Sequence, residues 1–544
     1  MGLHLSQNAR KELGAYYTPD RVAAFLASWA IRARSDTVLD PSAGEGVFLL
    51  AARERLMELG GEASSQVTGI ELSPETYRAT HLSLSVLRSK PTLLGGDFFD
   101  FQASTLAQVT AIVGNPPFIR YQRFTGASRR KALSRAEDAG VKFSELSSSW
   151  APFLVHAVTF IKLGGRMAVV APAELAHASY AEPVVRFLCS TFSKVKLLSF
   201  GKRLFPDISE DTVLVLAEGR GGQFQELTVH DLDGPEALAT VNHTALDRSG
   251  SRATTGWTTG VTRFVEHFLP PATRDLYSKL ASHPAVVRLG SVAEVGIGYV
   301  TGNNDFFHLS DQEARDRSIP RRDLAKSIRN GRGVQGLVFS ADDWHLLQES
   351  GHRNWLLKVN AVDDVADAAT SKYIAEGLRT GVARAYKCRV RDPWYSVPHV
   401  YVGDAFLTYM SGNKPKLFLN GAQAVAPNTL HVVRLRRDAM ITPFQLTASW
   451  NSALTGLSCE VQGHSLGGGM LKLEPRESGQ VLVAALPVSR SVVEDLDRQA
   501  RRGKLDEVRN QVDRLMRDTL GLSHRDVARL TEATTLLRER RTGR

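Results

Sequence analysis

Asn115, Pro116, Pro117 and Phe118 close an apolar run, Ala111-Ile112-Val113-Gly114, and together they can do chemistry. An amide oxygen and a peptide carbonyl, both acceptors, stand beside an aromatic ring. Consecutive prolines hold the chain extended, because they can neither continue a ladder nor freely enter a helix. This set suits the transfer of a methyl group to an exocyclic amino nitrogen on a flat base. The lone pair of such a nitrogen is delocalised into the ring, which makes it a poor nucleophile. The Asn115 side-chain oxygen and the Pro116 carbonyl can accept its two hydrogens and favour a pyramidal nitrogen. Phe118 can stack on the base. The catalysis is positioning and electrostatics, with no general base required.

A methyl donor needs its own site, and acids at strand ends supply candidates. In TVLDPSAGEGVFLL (37–50), Asp40 ends a strand and Gly44 and Gly46 allow close backbone approach. A helix then runs from about Val47 to Leu59. The turn lacks the dinucleotide fingerprint and suits a cofactor without a pyrophosphate. Glu71 ends a second strand, Val67-Thr68-Gly69-Ile70, where it can take both ribose hydroxyls of an adenosine-containing ligand. Asp97 follows Gly95-Gly96 and can accept from the cofactor's adenine amino group, with Phe98 packing on that ring. Upstream, Tyr16, Tyr17 and Thr18 would wall one side of the pocket. Thr18 also reads as the N-cap of a helix with Pro19 at its first position and Val22, Phe25, Leu26 and Trp29 on its apolar stripe.

These residues sit on strand, helix, strand, helix, strand, each strand ending in a polar or glycine-containing turn, which is a doubly wound α/β pattern. Ala111-Ile112-Val113 reads as a strand buried on both faces, and ligands bind beyond the carboxyl edge of such a sheet. At 544 residues two or three domains are expected. A net charge of +10 points to an anionic partner. Cys189, Cys388 and Cys459 are far apart with no CxxC, so neither a disulfide framework, a zinc site nor any other metal is expected, and the compartment is reducing. No apolar run reaches membrane-spanning length and MGLHLSQNARKELG lacks a signal-peptide core, so a cytoplasmic bacterial protein acting as a monomer is expected.

GAYYTP, DPSAGEG, GIELSP, GDFFDF and GNPPF, in this order and spacing, resemble the γ-class amino-methyltransferases that make N6-methyladenine in DNA. These are S-adenosylmethionine-dependent enzymes of restriction–modification and phage-defence systems. The resemblance implies a Rossmann-like methyltransferase domain over 1–250, a mixed α/β target-recognition domain over 261–488 and a helical segment over 489–544. It places Tyr17 and Thr18 beside the cofactor and Asp40, Gly44 and Gly46 near its methionine part. Glu71 would hold the ribose, Asp97 and Phe98 the adenine, and Asn115 to Phe118 the target base, with Pro117 also touching the cofactor. Phe118 replaces the more usual tyrosine, keeping the ring and losing a hydroxyl contact. The phenylalanine of a Phe-Pro step would form the second face of the base sandwich. Phe205 is expected in that role, with Phe200 as its rival. The implied partners are duplex DNA and a separate restriction endonuclease or defence subunits, since Pro206-Asp207 has no ExK behind it.

Residues 119–149 are rich in arginine and lysine, and read either as a solvated surface insertion with a basic helix or as a mobile loop that closes over extruded DNA and contacts phosphates through Arg120, Arg123, Arg129, Arg130 and Lys131. Trp150 to Leu163 reads as an amphipathic helix before a strand over 166–172, and 219–260 as a linker. Gly298–Phe307 and His464–Pro475 resemble segments of the recognition domain, though tight turns explain their glycines equally. Between them Arg384, Tyr386, Lys387, Arg389, Arg391, Trp394 and Tyr395 interleave cations with aromatics, a DNA-facing pattern in which Lys387 and Arg389 are the chosen contacts. The tail from Ser489 is helical in period, with Arg538–Arg544 expected to fray.

NPP-aromatic motifs also serve glutamine methylation of release factors and guanine-N2 methylation of ribosomal RNA. The GAYYTP segment and the long C-terminal region argue against both. Cytosine N4 is a closer rival, and Asn rather than Ser at 115 favours adenine. A DNA-binding specificity subunit with an inactive Rossmann half is the remaining alternative. The acids Asp40, Glu71 and Asp97 speak against it.

Overall fold

The computed structural model describes residues 18–144, 147–176, 181–202, 204–205, 212–241, 243, 246, 251–252, 263–359, 367–466 and 469–542. It divides into two compact units, the first ending at Phe268 and the second beginning at Leu269. Among the described residues no helix is long and apolar enough to cross a membrane.

The first unit is built on nine strands in the order β3-β2-β1-β4-β5-β7-β6-β8-β9. β1 (Val38–Asp40), β2 (Val67–Glu71), β3 (Thr92–Gly95), β4 (Val109–Gly114) and β5 (Ile161–Pro172) run parallel. β6 (Phe192–Phe200) and β7 (Thr212–Arg220) add an antiparallel pair, with β7 against β5. β8 (Glu226–Leu232) runs parallel to β6, and β9 (Ser251–Arg252) antiparallel to β8. Connections run from β1 outward to β2 and β3, then return to β4 on its other side. Right-handed crossovers in opposite directions put helices on opposite faces and open a crevice between the ends of β1 and β4. Asp40 and Asn115 lie on either side of it.

α1 (Asp20–Ala30) packs on α2 (Val47–Glu58), and α3 (Pro74–Ser85) follows β2. α2 starts from Gly46, whose φ of +85° suits glycine alone. The helix after Thr18 begins one residue later than a Thr18 cap requires. Pro19 occupies the N-cap position and no side chain caps it, which leaves the Thr18 hydroxyl for another partner.

Three further readings are corrected. Residues 126–138 form a helix, α4 (Gly126–Asp138), seated on the buried Ala132 and Ala136. α5 (Trp150–Thr159) is buried on every side through Val158 and so is not amphipathic. It is enclosed by β5, α4 and α6 (Glu182–Thr191), and β5 begins at Ile161. Glu226–Leu232 is not linker but a strand buried over Leu227–His230. The polar pair Thr228 and His230 hydrogen-bond each other at 3.0 Å, which lets a half-polar strand enter the core.

The second unit carries a five-stranded mixed sheet in the order Ala293–Ile297, His431–Leu435, Ala405–Leu407, Leu417–Asn420, Val338–Phe339. α7 (Ala453–Gln462), α8 (Arg490–Arg501), α9 (Leu505–Leu520) and α10 (His524–Thr542) complete it. The expected fraying at Arg538 is corrected, because α10 runs to Thr542 along α7. The buried Arg541 explains this. Its Nε and Nη2 donate to the Glu460 carboxylate at 2.8 and 3.0 Å, and its remaining donors reach the carbonyls of Gly412, Asn413 and Gly469. Arg541→Met should destabilise this unit by about 3 kcal/mol, since it leaves the buried Glu460 carboxylate to the longer Arg538 pair at 3.6 Å. A lowered urea midpoint with an unchanged m-value would register it.

Candidate active site

β1 and β4 meet so closely at their ends that residue 114 has no room for a side chain. A Cβ on Gly114 would lie 2.8 Å from Asp40 Oδ1. The next residue is Asn115, and the chain holds it from two sides. Ser42 Oγ, in the turn after β1, donates to the Asn115 carbonyl at 3.1 Å. Asn115 Nδ2 donates to Thr18 Oγ1 at 3.2 Å, so the hydroxyl freed from helix capping takes this partner instead. Asn115 Oδ1 is buried and accepts nothing. An unmet acceptor of this kind costs about 1–3 kcal/mol and persists where function needs it. Among the described residues none donates to the Pro116 carbonyl either. Two consecutive residues thus each leave an acceptor without a donor among the described residues.

Sequence reasoning missed Ser149. Its hydroxyl donates to the Pro117 carbonyl at 2.5 Å and accepts from Ile119 N at 2.8 Å, while its own N–H donates to the Ile119 carbonyl at 3.0 Å. These bonds bracket Phe118. The only sequence signal was the run Ser147-Ser148-Ser149 ahead of an apolar helix.

Phe118 and Phe205 belong to one hydrophobic core, 6% and 4% exposed. Both rings are covered by the chain's own packing. Phe200 is half-buried against the same core. Phe98 is enclosed as well. Its ring lies 4.8 Å from Phe153, 4.7 Å from His156 and 5.2 Å from Phe160, so its faces are spent inside the unit. His156, pulled by burial to a pKa of about 4, joins this cluster as a neutral ring.

Asp40 is fully buried, with Oδ1 accepting from Ser42 N at 3.0 Å and Oδ2 unpartnered. Burial foremost, then the charge of Glu71, pushes its pKa to about 7 against the pull of the Ser42 amide. Glu71 accepts from Gly44 N and Ser73 N, both at 2.8 Å, and so fixes the glycine turn itself. Burial raises its pKa as well. Asp97 accepts from Phe99 N at 3.1 Å and caps the short turn Phe98–Asp100. Tyr16 and Tyr17 lie outside the described residues.

The basic segment is more tied down than a mobile loop. Lys131 pairs with Asp100 at 2.5 Å, Arg129 donates to the carbonyls of Tyr121 and Phe124, and Arg135 to that of Phe99. Arg120, Arg123 and Arg130 are exposed, as are Lys387 and Arg389 in the second unit.

Residues 3–235 match the N-6 DNA Methylase family model, and residues 261–516 match the C-terminal domain of Type II methyltransferase M.Eco57I. Each match covers a little under half of the chain, and both are to DNA methyltransferase domains. This methylase is 23% identical over 492 residues to Type II methyltransferase M.XamI of Xanthomonas campestris pv. amaranthicola, covering 87% of the chain and 85% of the relative. It is 20% identical over 318 residues to M.HindII of Haemophilus influenzae, covering 56% and 57%. Among solved structures, the type IIG restriction endonuclease BpuSI is similar at 16% identity and a TM-score of 0.44, over 100% of this chain and 66% of that one. The methylase is a DNA N-6 methyltransferase of the restriction–modification kind.

Ser149→Ala removes both hydroxyl bonds around Phe118 and leaves the Ile119 amide unmet. We expect kcat to fall about tenfold with cofactor affinity unchanged, and Ser149→Thr to recover most of it. Asp40 supplies a pH test. Its folded pKa of about 7 exceeds the ordinary aspartate value of 3.8, so the folded state keeps a proton that the unfolded chain releases. Its contribution to stability is full below about pH 4 and is lost as pH rises to about 7. Asp40→Asn should flatten that part of the stability curve, measured by urea unfolding between pH 4.5 and 8.

Proposed function

We propose that this methylase transfers a methyl group from S-adenosylmethionine to N6 of an adenine extruded from duplex DNA. The observation that carries the reading is the pair of unmet acceptors, Asn115 Oδ1 and the Pro116 carbonyl. They match the two hydrogens of an amino group, and the fixed backbone of Asn115 means they need not reorganise during reaction.

The residues present fit the cofactor. Asp40 Oδ2 is a buried oxygen without a partner, in a site whose nearest charge is another carboxylate, so a positively charged ligand would relieve it. Asp40, Gly44 and Gly46 would hold the methionine part, Glu71 the ribose, and Asp97 the adenine. Tyr17, Thr18, Pro117 and the backbone of Phe98 would complete the contacts. The cofactor supplies an electrophilic methyl on a sulfonium. The protein's part is orientation. Thr18 keeps the Asn115 amide nitrogen turned away, so that the oxygen faces the substrate, and Ser149 fixes the proline turn. N6 cannot be approached in line within a base stack, so the adenine must leave it. Phe118 and Phe205 then exchange core contacts for the base. Residues 261–488, with the helices beyond, read the target sequence, and any endonuclease is a separate protein.

Asn115→Ala should lower kcat by about 10²–10³-fold or more while cofactor and DNA still bind within a few-fold of the unaltered chain. Long-read sequencing of a host genome expressing the chain tests the base identity. N4-methylcytosine in place of N6-methyladenine would overturn the assignment.

A further inference from the structure

Residues 379–391 hold Arg379, Arg384, Lys387, Arg389 and Arg391 and no acid. The fold treats one of these cations differently from the rest. Arg391 turns inward, its guanidinium donating to the Thr301 carbonyl at 2.8 Å and to that of Val300. The buried Cys388 donates its thiol to the same Thr301 carbonyl at 3.6 Å. Between them Gly302 adopts φ +93°, and a Cβ there would lie 2.9 Å from Cys388 Sγ and 3.0 Å from Lys387 Cβ. Only glycine lets the two segments meet this closely. The short helix Tyr386–Arg389 is thereby locked onto the loop that carries Gly298–Phe307.

The lock leaves an unusual set outside. Tyr386 is 65% exposed and Val390 60%, among the exposed Arg379, Arg384, Lys387 and Arg389. Lys387 Nζ lies 5.5 Å and Arg389 Cζ 5.9 Å from the centre of the Tyr386 ring, within cation–π reach. The ring thus gathers two cations around itself on a rigid platform. A partner that complements both features carries dense negative charge beside flat apolar surface, and a nucleic acid has phosphates and bases at that spacing.

We propose that Tyr386 is a recognition residue, its ring packing on base edges in a groove of the target duplex while Lys387 and Arg389 hold the flanking phosphates. This rests on the reading of the chain as a DNA methylase. The test uses the full chain and a duplex containing the sequence it methylates. Tyr386→Ala should raise KM for DNA roughly tenfold, leave kcat within twofold, and leave the slope of log affinity against log salt unchanged, because no phosphate contact is lost. Tyr386→Phe should behave as the unaltered chain. Lys387→Ala and Arg389→Ala should each reduce the salt slope by about one. Since all three side chains are exposed, melting temperatures should not move. A Tyr386→Ala variant that methylates DNA with an unaltered KM overturns the inference and leaves the methylase reading intact. An unaltered chain that methylates no DNA overturns the underlying reading.

Discussion

The site depends on the orientation of one amide. Asn115 has two polar ends, and only one of them can serve an amino group. Donation of Nδ2 to Thr18 Oγ1 decides which end is spent and which is left bare. That choice rests on the backbone beneath it. The contact of Gly114 with Asp40 sets how closely β4 approaches β1, and Ser42 then holds the Asn115 carbonyl. A residue with a side chain at 114 would separate the two strand ends and move the amide away from both of its anchors.

Such a site is assembled against stability. Asp40 is ionisable and buried without a cation, and Asn115 leaves an acceptor unmet. Each feature costs free energy in the folded chain that a ligand of the right chemistry can return. The covered aromatic rings obey a different balance. Burying a phenylalanine contributes about 1.5–3 kcal/mol. Stacking a base on an aromatic ring contributes a similar amount. Phe118 and Phe205 can therefore trade one apolar neighbour for another with little net change, and their burial is compatible with a role in holding a base. Phe98 differs because its neighbours Phe153, His156 and Phe160 enclose it within the aromatic cluster under the sheet.

Much of this was legible in the sequence because the determinants are local. Strand, turn and helix around DPSAGEG follow from apolar runs and glycines within a few residues of one another, and the doubly wound order follows from their alternation. What escaped reading is nonlocal. Thr18 looked like a helix cap because only its nearest neighbours could be weighed, and its true partner is Asn115. Ser149 clamps Pro117 and Ile119 across a long excursion that no pattern announces. α5 looked amphipathic because its polar residues are few and spaced. His156 and Thr159 instead find backbone partners, which allows burial on all sides. Arg541 looked like a frayed end because composition cannot foresee a carboxylate waiting at Glu460.

The cations make the general point. A net charge of +10 is a property of the whole chain, and runs of arginine and lysine invite assignment to an anionic partner. The fold divides them by what lies within reach. Arg391 spends donors on backbone carbonyls, and Arg541 on backbone carbonyls and a buried carboxylate, and so both act as internal fasteners. Lys131 is engaged by Asp100 at the surface, where such a pair contributes about 0–1 kcal/mol and can be exchanged for a phosphate. Lys387 and Arg389 face outward over an aromatic ring. A guanidinium whose fork is already held by backbone carbonyls must give up those bonds before it can meet a phosphate. Basic composition is therefore an upper bound on an interface, and the lower bound is set by counting which cations the backbone has already claimed.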